Sequence, residues 1–360
     1  MLSGNRKGIV SPRIRTFDEF RDAISAYRMP RVLLAALELD LCTAIGDRSW
    51  TVADLAKELK VSERGLSILC RNLAGAGVLH KKGVLYKNSR LGATALNRNH
   101  RDYRGGYLDL MQTHWKDWSR LVESVQSGLP IDHDIPDAPG HRRQFTWAMH
   151  HRTLEIAPMI AAQIRLGQAR TLLDLGGGPG TYAMAFLNKN PRLHATVCDR
   201  EAALGVAKEI ASTHRVGRRL SYVPLDFSQE AIPGTYDAIW YSNVLHIYSP
   251  EDNQAIFRRA FAALAPGGRF IIQDAFLHDR EGLQPTEASL FAVSMLLFTT
   301  GGNTYSASET ATWLKGAGFV GIKALSLKKG TEDWENGVLQ ASAPGRRPKA
   351  IARRTQSEKS

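Results

Sequence analysis

Cysteine is scarce in this chain. The three cysteines in 360 residues, Cys42, Cys70 and Cys198, lie far apart and form neither a CxxC pair nor an even-numbered set. This pattern argues against a disulfide framework, because such frameworks use paired cysteines at short spacings. We therefore expect buried, reduced thiols, no metal site and a reducing, cytoplasmic environment.

Long apolar runs are absent as well. The longest, residues 288–298, is interrupted by Ser289 and Ser294, whereas a membrane-spanning helix needs about 20 apolar residues. Arg6 and Lys7 are not followed by an apolar stretch, so the start does not have the pattern of a secretory signal. These absences predict a soluble protein with no membrane partner.

Acidic residues are missing from one end and nearly missing from the other. Residues 1–16 contain four basic residues and no acid, and residues 345–360 contain six basic residues and one acid. The net charge of +12 is therefore concentrated in two basic tails, which their composition predicts to be disordered. Loose basic segments attract phosphate, so nucleic-acid binding is an alternative, although not the one we favour.

The length suits two domains. Residues 17–100 should form a mostly helical first domain, beginning with helices over 17–27 and 31–45. From 51 to 89 the sequence predicts two helices capped by Thr51 and Ser62, followed by a β-hairpin that turns at residues 81–83. This order is typical of a winged helix-turn-helix.

A winged helix can bind DNA, but the second helix of this one has few basic side chains for contacts to phosphates or bases. Its second helix offers Arg64 and Arg71 as the strong phosphate or base contacts, and Gly65 weakens its start. We therefore favour protein contacts, and a homodimer, over DNA binding. The rival hypothesis is a DNA-binding regulator that uses its second domain as a cofactor sensor.

Residues 101–168 are predicted to be connecting helices. A loop rich in proline and aspartate interrupts them at 128–139. Residues 142–165 then read as one long amphipathic helix with a kink at Pro158.

The periodicity changes at residue 170, where a second domain, residues 169–344, is predicted. Short apolar runs alternate with helical stretches at residues 171–175, 195–198, 220–224, 236–242 and 268–274. This alternation predicts a doubly wound, Rossmann-like α/β fold with a parallel sheet between helices. Strands over 320–327 and 337–341 have no helical pattern between them, which predicts an antiparallel pair that closes the sheet.

The strongest functional signal is TLLDLGGGPGTYAMAFL, residues 171–187. A strand containing Asp174 runs into a turn with Gly176, Gly178 and Gly180, and a helix follows. Glycine permits the turn and lets a ligand approach the backbone. Asp199 ends the next strand, where an acid can accept hydrogen bonds from both ribose hydroxyls. The combination favours an adenosine-containing ligand over a purely structural turn.

Polar residues also follow the third and fourth strands. Asp226 and Phe227 could pair with an adenine amino group and stack on its ring, and Ser242 ends the fourth strand. His246 follows just beyond, and an imidazole titrating near neutrality can take a proton from a hydroxyl nucleophile. Ordinary loop polarity, or a packed structural histidine, is the alternative for each.

Five motifs in this order resemble the class I S-adenosylmethionine-dependent O-methyltransferases: LDLGGGPGTYA, YDAIWYSNVLHIYSPEDN, LAPGGRFIIQD, GGNTYS and LKGAGF. The similar branch contains plant caffeate-type and acetylserotonin-type enzymes and their bacterial relatives, which dimerise through an N-terminal winged-helix domain. The resemblance spans residues 17–342. It implies S-adenosyl-L-methionine as cofactor and a hydroxylated aromatic or polyketide-like small molecule as acceptor.

The resemblance also implies residue roles. His246 occupies the position of the catalytic base, and Asp274 that of the first acid beside it. The implied cofactor-binding residues are Asp174, Gly176, Gly178 and Gly180 for the methionine side, Asp199 for the ribose, Asp226 and Phe227 for the adenine, and Ser242. The implied lining of the acceptor pocket is Phe145, Met149, Met295 and Phe298.

Two departures from the family pattern concern the base. Ile247 and Tyr248 follow His246 where relatives have Asp and Trp, and Thr304 stands near the position where relatives place a second acid. One orienting carboxylate is therefore missing, which suits an acidic acceptor such as a phenol conjugated to a carbonyl. Methyl transfer to carbon or nitrogen on the same scaffold is the alternative hypothesis.

Overall fold

The computed structural model describes residues 13–131, 139–278, 281–328 and 336–345. The two basic tails, residues 1–16 and 345–360, lie almost entirely outside these residues. Thr16, assigned above to the first tail, instead caps the first helix, since its hydroxyl accepts a hydrogen bond from the Glu19 N–H at 3.2 Å. Among the described residues, no helix has the length and apolarity needed to cross a membrane.

The N-terminal elements form a helical unit with a small antiparallel sheet, as the sequence predicts. Thr51 and Ser62 cap their helices by accepting hydrogen bonds from backbone N–H groups three residues on. The elements are α1 (Phe17–Ser25), α2 (Arg28–Glu38), α3 (Leu41–Ile45), β1 (Trp50–Thr51), α4 (Val52–Leu59), α5 (Glu63–Gly75), β2 (Leu79–Lys82), β3 (Leu85–Asn88) and α6 (Arg90–Ala93). One buried apolar cluster joins α2 to β3.

Several boundaries in this unit differ from the prediction, since α1 ends at Ser25 instead of Tyr27 and α2 begins at Arg28 instead of Arg31. The helix predicted over 31–45 is divided into α2 and α3 by Asp40, whose φ of 49° is left-handed and ends the first helical run. The hairpin turns two residues later than predicted, because Lys82 pairs with Leu85 across the left-handed Gly83.

Connecting helices follow, as predicted, with these bounds: α7 (Gly105–Trp118), α8 (Leu121–Ser127), α9 (Pro139–Thr153) and α10 (Ile156–Gln163). The prediction of one kinked helix over 142–165 is wrong, because α9 ends at Thr153 and a separate helix, α10, begins at Ile156. Pro158 lies in the first turn of α10 and has no N–H to offer the carbonyl of Leu154. The proline therefore begins a new helix instead of bending an existing one.

The second half of the chain forms the predicted doubly wound fold. Its elements are β4 (Thr171–Leu175), α11 (Thr181–Lys189), β5 (His194–Asp199), α12 (Glu201–Ser212), β6 (Leu220–Pro224), β7 (Tyr236–Ser242), α13 (Pro250–Ala262), β8 (Leu264–Asp274), β9 (Phe276–Leu277), α14 (Thr286–Phe298), β10 (Tyr305–Ser306), α15 (Ala307–Gly316), β11 (Val320–Leu325) and β12 (Gly337–Ser342). Short 3₁₀ turns cover Gly217–Arg219 and Leu245–Ile247.

In the described residues the main sheet has seven strands in the order β11-β12-β8-β7-β4-β5-β6. β12 is antiparallel to both neighbours, which confirms the predicted antiparallel closure. Neighbouring residues of β7 show why both faces are covered: Trp240 packs in one buried cluster, and Ile239 and Tyr241 pack in the other. The strand order reverses between β4 and β7, and ligands of such sheets bind at the carboxyl ends of the strands there.

Candidate active site

The glycine turn leaves β4 at this switch point and starts α11. Gly176, Gly178 and Gly180 have left-handed φ angles of 71°, 49° and 68°, which favour glycine. A Cβ on Gly176 would lie 2.7 Å from the Val244 side chain, whereas the nearest atom to a Cβ on Gly178 is Asp199 Oδ2 at 3.9 Å. Packing therefore requires glycine at 176, and the surface over Gly178 is open to a ligand.

Two carboxylates flank this turn in different ways. Asp174 is 2% exposed, and its Oδ2 accepts a hydrogen bond from the Ala183 N–H at 3.1 Å. Asp199 Oδ2 accepts from the Gly178 N–H at 2.8 Å, and its Oδ1 accepts from the Arg200 N–H at 2.7 Å. Asp174 thus supports the turn from beneath, while Asp199 lies beside the open surface of Gly178.

Burial opposes ionisation of both carboxyl groups. Burial raises the pKa of Asp174 to about 7, and the N–H of Ala183 only partly offsets this. Burial also raises the pKa of Asp199, against the effect of the Arg200 and Gly178 N–H groups. Donors from a ribose would add hydrogen bonds that favour the ionised form of Asp199. The residues at the turn therefore fit an adenosine-containing cofactor.

Asp226 and Phe227 follow β6 at the same edge. The Asp226 carboxylate accepts from Arg200 Nη2 at 3.2 Å and from the Ser228 hydroxyl at 2.5 Å. Phe227 is 6% exposed and packs edge-on against Tyr248, with ring centroids 6.0 Å apart. The ring of Phe227 also reaches the glycine turn. An adenine amino group would therefore have to bind a carboxylate that already accepts hydrogen bonds from Arg200 and Ser228. The contact of Asp226 with adenine stays a prediction.

Ser242, at the end of β7, belongs to a buried polar chain that the sequence analysis missed. Its hydroxyl donates to Gln273 Oε1 at 2.6 Å and accepts from Asn243 Nδ2 at 3.1 Å. Gln273 Nε2 in turn donates to Asn336 Oδ1 at 2.8 Å. A glutamine inside the apolar run FIIQD was the available signal. Contact of Ser242 with the cofactor stays a prediction.

His246 and Asp274 come together at the ends of β7 and β8. His246 Nδ1 lies 2.8 Å from Asp274 Oδ1, and both side chains are buried. The same Oδ1 accepts from the Ala275 N–H at 2.7 Å. Because a carboxylate can only accept, Nδ1 is the protonated nitrogen and Nε2 is left as an acceptor. This tautomer is the one that can take a proton from a hydroxyl group.

The loop after α14 closes over the backbone of His246. The Asn303 N–H donates to the His246 carbonyl at 3.0 Å, and a side chain on Gly302 would clash with that carbonyl. Thr304 is 4% exposed, and in the described part of the chain its hydroxyl and Asp274 Oδ2 have no hydrogen-bond partner. Asp274 is accordingly the carboxylate that bonds the imidazole here.

Helix α14 presents an apolar wall to the histidine. Phe291 packs edge-on against His246, with ring centroids 4.8 Å apart. Met295 is buried, and Phe298 stacks on His114 of α7, with centroids 4.6 Å apart and an interplanar angle of 23°. Spacings of four and three residues place the three α14 side chains on one helix face. The sequence analysis named Met295 and Phe298 as lining of the acceptor pocket, which stays a prediction, and did not name Phe291 or His114.

Helix α9 carries the other predicted pocket residues. Phe145 is 38% exposed, and Met149 is partly buried one turn later. On the same helix, His150 Nδ1 lies 2.8 Å from the hydroxyl of Thr181, the first residue of α11. Burial lowers the pKa of His150 to about 4, so this contact involves a neutral imidazole. The contact fixes α9 next to the glycine turn, while acceptor contacts of Phe145 and Met149 stay predictions.

Solved structures share this architecture. That of a putative O-methyltransferase from Nostoc punctiforme superposes with a TM-score of 0.78 at 25% identity, covering 91% of this chain and 99% of that chain. The sheet is therefore that of the class I methyltransferases.

Comparison with protein families and curated sequences gives the family. The O-methyltransferase domain matches residues 124–320, and the O-methyltransferase dimerisation domain matches residues 22–98. The first match alone covers more than half of the chain. The chain therefore belongs to the O-methyltransferase family. Its cofactor is S-adenosylmethionine.

Two curated relatives are similar over most of their length. The 3-hydroxy-5-methyl-1-naphthoate 3-O-methyltransferase of Streptomyces sahachiroi is 26% identical over 303 residues, which are 82% of this chain and 87% of that protein. The mitomycin biosynthesis 6-O-methyltransferase of Streptomyces lavendulae is 29% identical over 306 residues, 80% of this chain and 84% of that protein.

Proposed function

We propose that this enzyme methylates a hydroxyl group on an oxygenated aromatic or polyketide-like small molecule. The observation that carries the proposal is the buried His246–Asp274 pair, 2.8 Å apart, set against the aromatic face of α14. A basic nitrogen beside apolar side chains suits a phenolic acceptor that is otherwise flat and apolar. The two curated relatives described above are named for a naphthoate and for mitomycin.

The glycine turn and the acid at the end of β5 would hold the cofactor. Gly178 leaves room for close approach, and Asp199 would accept hydrogen bonds from the ribose hydroxyls. The N–H groups of Thr181 and Tyr182, at the start of α11, lie at the same edge and would suit the negative charge of the cofactor's methionine carboxylate. When bound, S-adenosylmethionine supplies a methyl group on a positively charged sulfur. The chain therefore has to orient the two reactants and manage one proton.

His246 would take that proton. Its Nε2 accepts the proton from the acceptor hydroxyl, and Asp274 stabilises the imidazolium that results. Positioning should supply most of the rate, because the methyl group arrives already activated. With Thr304 in place of a second acid, we expect a preference for phenols conjugated to a carbonyl over aliphatic alcohols.

Transfer of a ¹³C-labelled methyl group tests the proposal. The purified enzyme is incubated with labelled S-adenosylmethionine and a panel of hydroxylated naphthoates, anthraquinones and simple alcohols. A carbon resonance typical of an aryl methyl ether, appearing only with the phenols, is the expected result. A resonance of a methyl on carbon or nitrogen would favour the alternative acceptor, and no transfer to any phenol would contradict the proposal.

We also propose the domain division predicted above, a homodimer and a cytoplasmic location. Residues 17–100 would dimerise, residues 101–168 would line the acceptor pocket, and residues 169–344 would bind the cofactor. Support for the dimer comes from α1, which buries none of its residues and exposes Phe17, Phe20 and Ile24 at helical spacing. The three buried free cysteines fit a reducing compartment.

A further inference from the structure

The apolar face of α14 has an imidazole at each end. Phe291 contacts His246 at one end, and Phe298 stacks on His114 at the other. The two phenylalanines are seven positions apart in the helix, which places them about 10 Å apart along the helix axis. A single benzene ring carrying a hydroxyl is shorter than this distance, whereas a fused bicyclic or tricyclic ring system with oxygen substituents spans it.

His114 has the surroundings of a ligand-binding group. Its imidazole is half-buried between α7 and α14, and neither ring nitrogen has a hydrogen-bond partner in the described part of the chain. Burial lowers the pKa of His114, and the neighbouring His141 adds to this effect. A neutral imidazole offers one donor and one acceptor, so it can bind either a hydroxyl or a carbonyl oxygen.

A purely structural role does not explain these features well. An imidazole that only packed on Phe298 could be replaced by any aromatic ring, so packing alone gives no reason for the two ring nitrogens. A bound molecule lying along α14 would offer those nitrogens a partner. The stacked geometry, with 23° between the ring planes, also holds the imidazole edge away from Phe298.

We propose that His114 recognises a second oxygen atom on a fused-ring aromatic acceptor, at the end of the α14 face opposite His246. The acceptor hydroxyl that reacts would lie at His246, and the apolar rings would lie along Met295. His114 thereby selects acceptors by length and by the presence of a distal hydroxyl or carbonyl. This inference rests on the function proposed above and specifies its substrate class.

Binding of two naphthalene probes to the enzyme–S-adenosylhomocysteine complex tests the inference. Naphthalene-2,6-diol carries oxygens at both ends, and 2-naphthol carries one. Calorimetry should show the diol binding roughly 3- to 10-fold more tightly, as expected for one added hydrogen bond. His114→Phe keeps an aromatic ring against Phe298 but removes the nitrogens, so this preference should fall to the factor of two that the diol's symmetry gives. His114→Gln keeps a donor and an acceptor and should retain part of it.

The controls separate this inference from the proposed function. His80→Phe, on an exposed residue of β2, should leave the preference unchanged. Equal binding of both probes by the wild type, a preference that survives His114→Phe, or no binding of either probe would overturn the inference. Failure of the proposed function would appear separately, as absence of methyl transfer to every phenol while the probes still bind.

Discussion

Two regions of the molecule treat polar and apolar groups in opposite ways. At the carboxyl edge of the main sheet, Asp174, Gln273 and Asp274 are at most 2% exposed although all three are polar. In α1 the reverse holds, because Phe17 is 77% exposed and no residue of the helix is buried. The sheet edge thus has buried polar side chains and α1 has exposed apolar side chains, and folded proteins usually have few of either.

The difference separates chemistry from assembly. Buried polar groups are costly to desolvate, so a cluster of them persists where they bind or react with something. An exposed apolar helix face costs little within the chain, but it favours association with another surface. The sheet edge is accordingly where we place catalysis, and α1 is where we place subunit contact.

Replacement of His246 by alanine should have the largest effect at the sheet edge. Loss of the general base should lower turnover by roughly 10²- to 10⁴-fold, while affinity for S-adenosylhomocysteine should stay within about twofold of the wild type. Steady-state kinetics with the best phenol of the panel, together with calorimetry, measures both quantities.

Asp274→Asn gives the matched comparison for His246→Ala. It keeps the shape of the side chain but removes the negative charge that stabilises the imidazolium, so turnover should fall without reaching the level of His246→Ala. If His246→Ala turned over at the wild-type rate at neutral pH, the histidine would be structural. The acceptor would then be an atom that needs no deprotonation.

Asp174 should make its own contribution to the pH dependence of stability, opposite in sign to that of His150, whose pKa is lowered to about 4. Its pKa is raised to about 7 by burial, so between about pH 4 and pH 7 this carboxyl group binds more protons in the folded state than in the unfolded state, and the contribution of Asp174 to stability falls as the pH rises through that window. Asp174→Asn removes this titration. The variant should gain up to roughly 4 kcal/mol relative to the wild type between pH 4 and pH 7.

Urea denaturation at several pH values tests the prediction for Asp174. The exposed Asp22→Asn serves as control and should follow the wild type at every pH. A constant difference between Asp174→Asn and the wild type across this window would mean that Asp174 ionises normally in the fold.

Cofactor affinity should depend on Asp199 more modestly. Asp199→Ala removes a charged hydrogen-bond acceptor worth ~1.5–3 kcal/mol, which corresponds to roughly 10- to 150-fold weaker binding of S-adenosylhomocysteine. Gly178→Val should also weaken binding, because it puts a branched side chain over the open surface of the turn. If calorimetry shows that both variants bind S-adenosylhomocysteine as tightly as the wild type, the cofactor does not bind at this turn.

Local patterns in the sequence predict most of this architecture. The bounds predicted for β4, β6 and β7 match the structure, because short apolar runs between turns leave little freedom in where a buried strand begins and ends. The helix caps at Thr51 and Ser62 are local in the same sense, since cap and N–H lie three residues apart.

Features that depend on distant contacts were not predictable in this way. His114 and Phe298 stack although 184 positions separate them, and Gln273 meets Asn336 across a gap of 63 residues. Neither pair leaves a periodic signal in the chain. The pairing of His246 with Asp274 was expected only because the motifs resembled those of a family. The sequence pattern placed Pro158 inside one helix, and it did not show that α9 ends before the carbonyl that this proline leaves without an N–H partner.

The smallest effect we predict is on dimer affinity and concerns the exposed apolar face of α1. The double variant Phe17→Ser/Phe20→Ser removes two exposed aromatic rings from the apolar face, and it should weaken the dimer by about 10-fold or more because that burial is lost on association. Folding of the monomer should change little, since neither ring is buried within the chain.

Sedimentation velocity over a range of micromolar concentrations measures this change. The wild type should sediment near twice the 39.8 kDa chain mass, and the variant should shift towards the monomer as it is diluted. Val84→Ser is the matched control, because Val84 is 73% exposed but lies in the hairpin turn and not on α1. Equal weakening by Val84→Ser would move the subunit contact to the hairpin, whereas a wild type that is monomeric and active would leave the exposed face of α1 without the role assigned to it.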